Sequence, residues 1–564
     1  MGFSSFALGM LLLLSLSSIS SHATPCPEQD KRSLLRFIAE LSIDSGLAML
    51  SWRNNTADCC LWEGITCNGD GVVTEVSLPG RGLQGRISPA LGELTGLLHI
   101  NLSWNALSGG LPLEQLMSST SSIVVIDVSF NHLEGELGEL SSSVSVTHGW
   151  PLQVLNISSN QFTGEFPSRA CMLLKNLVTL NMSNNSFSGQ VPSSFCLASA
   201  SITVLELQYN QFSGKIPLML GSCSNLKVLK AGHNNLGGTI PDELFNATSL
   251  EHLSFRNAGL QGTLDGSPIG KLSDLVTLDL GENNFIGKIP DSIGLLKTLE
   301  ELHLDYNMMS GELPSTFNMV ALRLSWNNFH GQLSPRIGNL KSLIFLSIGS
   351  NNFTNITNTL HVKDCKNLTF LYLETNFKGE AMPQDETVDG RSLQVRETSG
   401  IPKVLNLGHN NFNGVIPQEI GQLKSLTTLN ISFNMLSGEI PQQLCNLSNL
   451  QVLDLSSNHF TGAIPSDINT LHFLSAFNVS NNDLKGTIPT GGQFNTFPNS
   501  SFEGNPELCG VLVNQLCGWA EAPPHFSTPS KEQSDRRTAF VIAFGAFFVV
   551  GVLYDQLVLS KYFG

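Results

Sequence analysis

The chain has 564 residues, is 41% hydrophobic but only 13% charged, and carries a formal net charge of −16. That acidity argues against a nucleic-acid partner, because a phosphate backbone requires a basic surface. Fifty-one glycines and thirty-two phenylalanines would be odd in a compact enzyme and point to a repeat that uses both.

Residues 1–23 read as a secretory signal peptide. An apolar run around Leu8 to Leu16 precedes Ser21 and Ala23, small residues at the two positions a signal peptidase reads. Secretion fits thirteen Asn-x-Ser/Thr sequons, at Asn54, Asn101, Asn156, Asn181, Asn184, Asn246, Asn352, Asn355, Asn367, Asn430, Asn446, Asn478 and Asn499. Residues 24–70 are expected to form an N-terminal cap, with an amphipathic helix over 30–41 and then DCCLWEGITC.

Repeats follow over 71–376 and again over 403–492, and the second block spells the unit most cleanly. VLNLGHNNFNGVIP, TLNISFNMLSGEIP, VLDLSSNHFTGAIP and AFNVSNNDLKGTIP set Asn410, Asn434, Asn458 and Asn482 at intervals of 24. Written generally this is LxLxxNxLxGxIP, a leucine-rich repeat. Apolar pairs such as Leu429 and Ile431 alternate with period two, which places them on one face of a short strand. Each asparagine amide has donors and an acceptor for backbone groups where the chain leaves the strand. Glycine permits the bend, and proline marks a position that donates no bond. No single unit buries its apolar face, so the units must stack.

With the asparagine as a ruler, the units fall at Arg81, Asn105, Asn131, Asn160, Asn185, Asn210, Asn234, Ala258, Asn283, Asn307, Asn327, Asn351 and Asn376, then the four above, seventeen in all. Three intervals depart: 29 before Asn160, 20 before Asn327 and 34 before Asn410. The last contains a polar segment without a strand pattern, so residues 377–402 read as an interrupting loop.

Residues 493–517 form the expected C-terminal cap and the proline-bearing 518–537 a juxtamembrane linker. Residues 538–559 are mostly apolar, and about 22 residues suffice for a helix to cross a bilayer core. A cytoplasmic tail, 560–564, would remain. A removable glycolipid-anchor tail is the alternative, opposed by Asp555 and Lys561. Cysteines at both repeat ends suit disulfides in caps, with Cys26–Cys59, Cys60–Cys67 and Cys509–Cys517 expected, although sequence leaves connectivity open. Cys171, Cys196, Cys223, Cys365 and Cys445 lie between strands and are expected to be buried thiols.

Two glycine-rich stretches, Gly80 to Gly85 and Gly281 to Lys288, imitate nucleotide-binding loops but are spelled by the repeat's own turn. Nucleophile-elbow, zinc-protease and kinase signatures are absent from the sequence. The expectation is a non-enzyme with no cofactor and no metal.

The repeats serve as controls for one another. Late units carry small or uniform residues at the outward strand positions, such as Asn430/Ser432 and Asn478/Ser480. From Val204 to Thr375 the same positions hold Glu206, Gln208, Tyr209, Lys230, His233, Arg256, Asp279, Glu282, His303, Asp305, Tyr306, Arg323, Trp326, Tyr372 and Glu374. This row of mixed charge and aromatic rings on the expected concave face suits a peptide or protein ligand, with Arg256, Arg323 and Trp326 as anchors.

DCCLWEGITC, the LSGEIP-type repeats and the closing GGQFNTFPNSSFEGNPELCG resemble plant extracellular leucine-rich-repeat receptors. The closing stretch is similar to the branch of phytosulfokine and tyrosine-sulfated-glycopeptide receptors, and the terminal LYDQLVLSKYFG to kinase-less receptor-like proteins of that branch. The resemblance implies an α/β solenoid. This would be a right-handed superhelix with a parallel β-sheet on its concave face, a second small sheet, disulfide-capped ends and one C-terminal transmembrane helix. It also implies a single-pass plasma-membrane protein with its ectodomain outside the cell. Such a protein would perceive an extracellular peptide or protein and signal through adaptor and co-receptor transmembrane kinases in development or defence. Ala539, Ala543, Ala546 and Gly551 would let the membrane helix pack closely. The interruption here is only ten residues longer than a unit, so no positions match the folded island of the sulfopeptide receptors. An inhibitor of a secreted enzyme and a non-signalling decoy or scaffold remain the alternatives.

Overall fold

The computed structural model describes residues 25–517 apart from 44–51, 53–57, 118–121, 139–148, 193, 195, 197–200, 265, 315–318, 333–339, 355–366 and 378–402. The expected signal peptide, linker, membrane span and tail lie outside these residues, as do Asn54, Asn355, Cys365 and nearly all of the interrupting loop. Among the described residues no helix is long and apolar enough to cross a membrane. The chain divides into two compact units after Gln515. Of the second, only Leu516 and Cys517 are described.

The first unit is a solenoid. Seventeen parallel strands, from Val73–Ser77 to Ala476–Asn478, form its inner sheet, one for each unit counted on the sequence. Leucine stacks on leucine in register, as in Leu180↔Leu205 and Leu205↔Leu229. All three are fully buried, and each such side chain contributes about 2 kcal/mol of burial. The sheet is open: Ile65–Cys67 joins Val73–Ser77 as an antiparallel hairpin at one end, and Ala476–Asn478 ends the other.

The ladder asparagines seal the next layer. Asn210 is buried; its Nδ2 donates to the Met182 carbonyl at 3.0 Å and the Leu207 carbonyl at 3.1 Å, and its Oδ1 accepts from the Phe187 amide at 2.9 Å. One amide thus satisfies backbone groups of its own unit and of the unit before. Phenylalanine two positions further on forms a buried spine, with Phe162, Phe187 and Phe212 stacked in succession. After it the xLxGx segments pair as short parallel strands of a second set, such as Gln161–Glu165 with Ser186–Ser188.

The chain returns through 3₁₀ turns entered at the proline of each Ile-Pro, for example Leu218–Ser222 and Gln442–Asn446. Only Leu113–Leu116, Ser168–Leu173 and Gly266–Ile269 are short α-turns among the described return segments. The helical layer of the expected solenoid is thus mostly 3₁₀ among the described return segments. A 3₁₀ turn rises about 2.0 Å per residue against 1.5 Å for an α-helix, so five residues cover the return with less chain.

Irregular intervals leave the inner sheet intact. Glu301–His303 pairs directly with Ala321–Arg323 across the 20-residue interval, and Phe370–Tyr372 with Val404–Asn406 across the 34-residue one. Length changes are therefore absorbed outside the strands.

At the N-terminal cap, helix Glu28–Ala39 brings the buried Asp30 carboxylate to accept the Val73 amide at 3.1 Å, so a side chain supplies the acceptor at the start of the first repeat strand. Cys26–Cys59 and Cys60–Cys67 are bridged, and Cys509 and Cys517 are each disulfide-bonded. In the C-terminal cap Phe494, Phe497 and Phe502 close on Phe477, with centroids 5.0, 5.7 and 5.8 Å from its ring. Asn505 extends the ladder by one rung, accepting from the Leu484 amide and donating to the Val479 carbonyl.

One cysteine expectation fails. Cys196 and Cys223 are joined rather than buried thiols, with Cα atoms 4.8 Å apart. Both lie in return segments of adjacent units, and stacking brings such segments side by side. Cys171 and Cys445 are free thiols, and burial raises the pKa of each to about 11.

Candidate functional site

Superposing the units by register separates scaffold from site. In the outer units from Asn101 to Asn181 and from Asn430 to Asn478 the last strand residue is Asn or Asp, and its carboxyl or amide oxygen accepts from the serine two positions on; Asn406 accepts from the Gly408 amide instead, and the first repeat strand ends in Ser77. Asn181 Oδ1 accepts from the Ser183 amide at 3.0 Å and hydroxyl at 2.7 Å, and Asp454 does the same with Ser456 at 3.0 and 2.7 Å. Only an acceptor is needed, so Asp and Asn interchange. Asn101, Asn156, Asn181, Asn430 and Asn478, five of the expected glycosylation positions, occupy this column.

From Glu206 to Glu374 the pair is broken up, and the column residues interact across units instead. Lys230 Nζ lies 3.3 Å from Glu206. Arg256 reaches Asp279 at 3.3 Å and Glu282 at 3.0 Å and binds Asp305 closely. Its guanidinium lies over Gly281, where an added Cβ would sit 2.4 Å from Nη1, so glycine makes the space. Burial alone would lower the Arg256 pKa, but Asp305, Asp279 and Glu282 together hold it above its ordinary value. Burial likewise pushes Asp279 up, yet His303, Arg256 and the Gly281 amide bring it below the usual carboxylate range.

Arg256 is thus spent on its own neighbours. Arg323 is not: its guanidinium stands 4.7 Å over the Phe345 ring, and its Nε is buried without a hydrogen-bond partner among the described residues. Gln208 Oε1 and Glu374 Oε2 are in the same position. The Glu374 carboxyl rests over Gly349, and burial raises its pKa. Burial also raises Glu301, whose carboxylate is 3.9 Å from His303 Nε2. Tyr372 lies 5.6 Å from Phe345.

The rings Tyr209, His233, Tyr306 and Trp326 are not strand residues. Each immediately precedes its ladder asparagine, in left-handed backbone with φ between 53° and 57°. Every unit from Trp104 to Asn481 repeats that conformation, unusual for residues other than glycine. The column forms stacked pairs: Trp104 on Phe130 at 3.9 Å, Tyr209 on His233 at 4.1 Å, Tyr306 on Trp326 at 5.4 Å and His409 on Phe433 at 4.1 Å.

All of the expected site residues are thus gathered on the inner sheet or along its edge. Glu301 and Phe345, at first strand positions, and Gly281 and Gly349, beneath the charged groups, escaped the sequence reading. Their signal was available, because those glycines stand where most outer units carry serine.

Comparison with known proteins finds the same cap and repeats elsewhere. A leucine rich repeat N-terminal domain model matches residues 27–68. The leucine rich repeat model matches 151–173, 176–197, 201–223, 225–247, 274–296, 402–423, 425–447 and 449–471. Receptor-like protein 3 of Arabidopsis thaliana is 31% identical over 191 residues, covering 28% of this chain and 25% of that protein. Phytosulfokine receptor 1 of the same plant is 29% identical over 195 residues, covering 30% and 18%. A leucine-rich-repeat protein of Leptospira interrogans shares the fold with a TM-score of 0.52 at 26% identity, covering 67% of this chain and 88% of that one. The chain thus carries a leucine rich repeat N-terminal domain and leucine rich repeats, and it is similar to receptor-like proteins and leucine-rich-repeat receptor kinases. The matches span a quarter or less of the lengths of those two curated relatives.

Proposed function

We propose that the chain is a cell-surface receptor-like protein whose inner face between Glu206 and Glu374 recognises an extracellular peptide or protein. One observation carries this reading. Over these consecutive units the self-satisfying Asx–Ser pair gives way to charged and aromatic groups, three of them with buried atoms that have no partner among the described residues: Gln208, Arg323 and Glu374. A buried unpaired polar atom is costly in the free protein and gains a partner when a ligand supplies one. The relationship to a phytosulfokine receptor supports a peptide as that ligand. Residues 538–559 would anchor the protein as a single span, the sequons would carry glycans outside the cell, and partner receptor kinases would carry the signal.

Affinity capture with the secreted 24–537 ectodomain against extracellular plant fluid tests the reading. The captured ligand should bind Arg323→Ala, Trp326→Ala and Glu374→Ala variants at least tenfold more weakly, a loss of about 1.4 kcal/mol. Unchanged affinity in all three would remove this face from the binding site.

A further inference from the structure

The four stacked ring pairs recur with a fixed step. Their leading residues, Trp104, Tyr209, Tyr306 and His409, stand four units apart throughout, so the edge column reads ring, ring, polar, polar from one end of the solenoid to the other. Four strands at about 4.8 Å each put successive pairs on the order of 19 Å apart. The rings within each pair are nearly parallel, inclined by 6° to 10°. Apart from the half-buried His233 they also stand in solvent, with Trp104 63% and Trp326 54% exposed. Neither burial nor the fold's hydrogen bonding calls for them. The first and last pairs lie outside the charged block, in units whose strands end in Asn101, Asp127, Asn406 and Asn430.

We infer that this column binds an extended neutral polysaccharide or oligosaccharide, along an edge that shares Tyr209, His233, Tyr306 and Trp326 with the face proposed for a peptide but does not use its charged groups. A regular step calls for a ligand that repeats, which a folded protein or a hormone-sized peptide does not. An apolar partner would want a continuous patch, and here the rings are interrupted every two units by hydroxyl and amide groups, such as Ser159 and Asn184 or Ser350 and Thr375. Flat C–H faces bordered by hydroxyls match that alternation, and such faces are what pyranose rings offer. The net charge of −16 disfavours an anionic polymer. A second observation falls between the first two ring pairs. There a cavity of about 530 Å³ is bordered by Asn184, Asn160, Gln161, Thr163 and Glu134, all hydrogen-bonding side chains and none aromatic.

The test uses the secreted 24–537 protein with cellohexaose, xylohexaose, mannohexaose and chitohexaose as probes, read by calorimetry and tryptophan fluorescence. At least one neutral hexasaccharide should bind and shift the emission. Trp104→Ala/Phe433→Ala should weaken that binding at least tenfold, Trp104→Phe should retain it, and Arg323→Ala/Glu374→Ala should leave it unchanged. That last variant separates this surface from the peptide reading, so either can fail without the other. Both rings are exposed, and an unchanged unfolding midpoint would establish that the double variant is folded. No binding to any neutral probe at millimolar concentration, or binding indifferent to Trp104→Ala/Phe433→Ala, would overturn the inference. So would preference for oligogalacturonate, or binding confined to an Asn184→Gln variant, which would make the occupant the chain's own glycan.

Discussion

Asn101, at the end of its strand, accepts from the Ser103 amide at 3.1 Å and hydroxyl at 2.8 Å, a task an aspartate performs equally well in Asp127 with Ser129. Asn101→Asp should therefore cost no more than about 0.5 kcal/mol, the repulsion from Asp127 on the next strand. Asn101→Ala should cost about 1–2 kcal/mol, because the serine donors lose their acceptor. Denaturant unfolding measures both, and the mass of the secreted variants reports whether Asn101 bears a glycan. Glu374 yields a prediction in pH. Its carboxyl is raised by burial, so the charged form disfavours the folded state above its folded pKa, and that penalty disappears once pH falls below the unfolded value. Glu374→Gln should raise the unfolding temperature at neutral pH, by the equivalent of about 1 kcal/mol, and the gain should vanish in acid. A gain independent of pH would mean that the charge is not its source. Arg256→Ala, in contrast, would strand Asp279, Glu282 and Asp305 against one another. It should destabilise the fold by about 3 kcal/mol, so lost ligand binding in that variant would not identify an anchor.

Within the return segments, the Cys196–Cys223 bridge ties two consecutive coils over a separation of 27 residues. Loops of that size gain about 3 kcal/mol from closure. Cys196→Ala/Cys223→Ala should accordingly speed hydrogen exchange in the adjoining inner strands, Val204–Glu206 and Val228–Lys230, while distant units such as Val452–Asp454 keep their protection. The bridge was beyond the sequence because Cys171 and Cys196 are also about one unit apart. Either pair could meet in a stack. Side-chain direction decides, and Cys171 is fully buried on the short α-turn Ser168–Leu173, its Sγ donating weakly to the Pro167 carbonyl at 3.8 Å.

For the whole solenoid, the strands were legible residue by residue, since a period-two pattern locked to one asparagine admits no other register. Even the substituted Arg81 and Ala258 fell into place, because their neighbours fix the count. Less of the site could be read. The sequence brought Arg256 and Asp305 to one face, but their mutual pairing depends on Gly281 lying beneath them, a contact between units that chain order does not display. Nor does a string of letters reveal that the residue before each asparagine turns left-handed, which moves Tyr209 and Trp326 from the strands to the edge. The ends were partly legible: the cap cysteines could be named, whereas Asn505, the last rung, follows no LxLxxN spelling. A protein ending at 489 should lose that rung and expose the Phe477 cluster, and it should aggregate, while one ending at 517 stays monomeric in size-exclusion chromatography.

The direct pairing of Phe370–Tyr372 with Val404–Asn406 has a practical side. Because the coil count ignores whatever lies at 378–402, an epitope or a small fluorescent domain spliced into that stretch would leave every described rung and both proposed recognition surfaces as they are. Cells could then be stained for the molecule at work, with its two termini untouched.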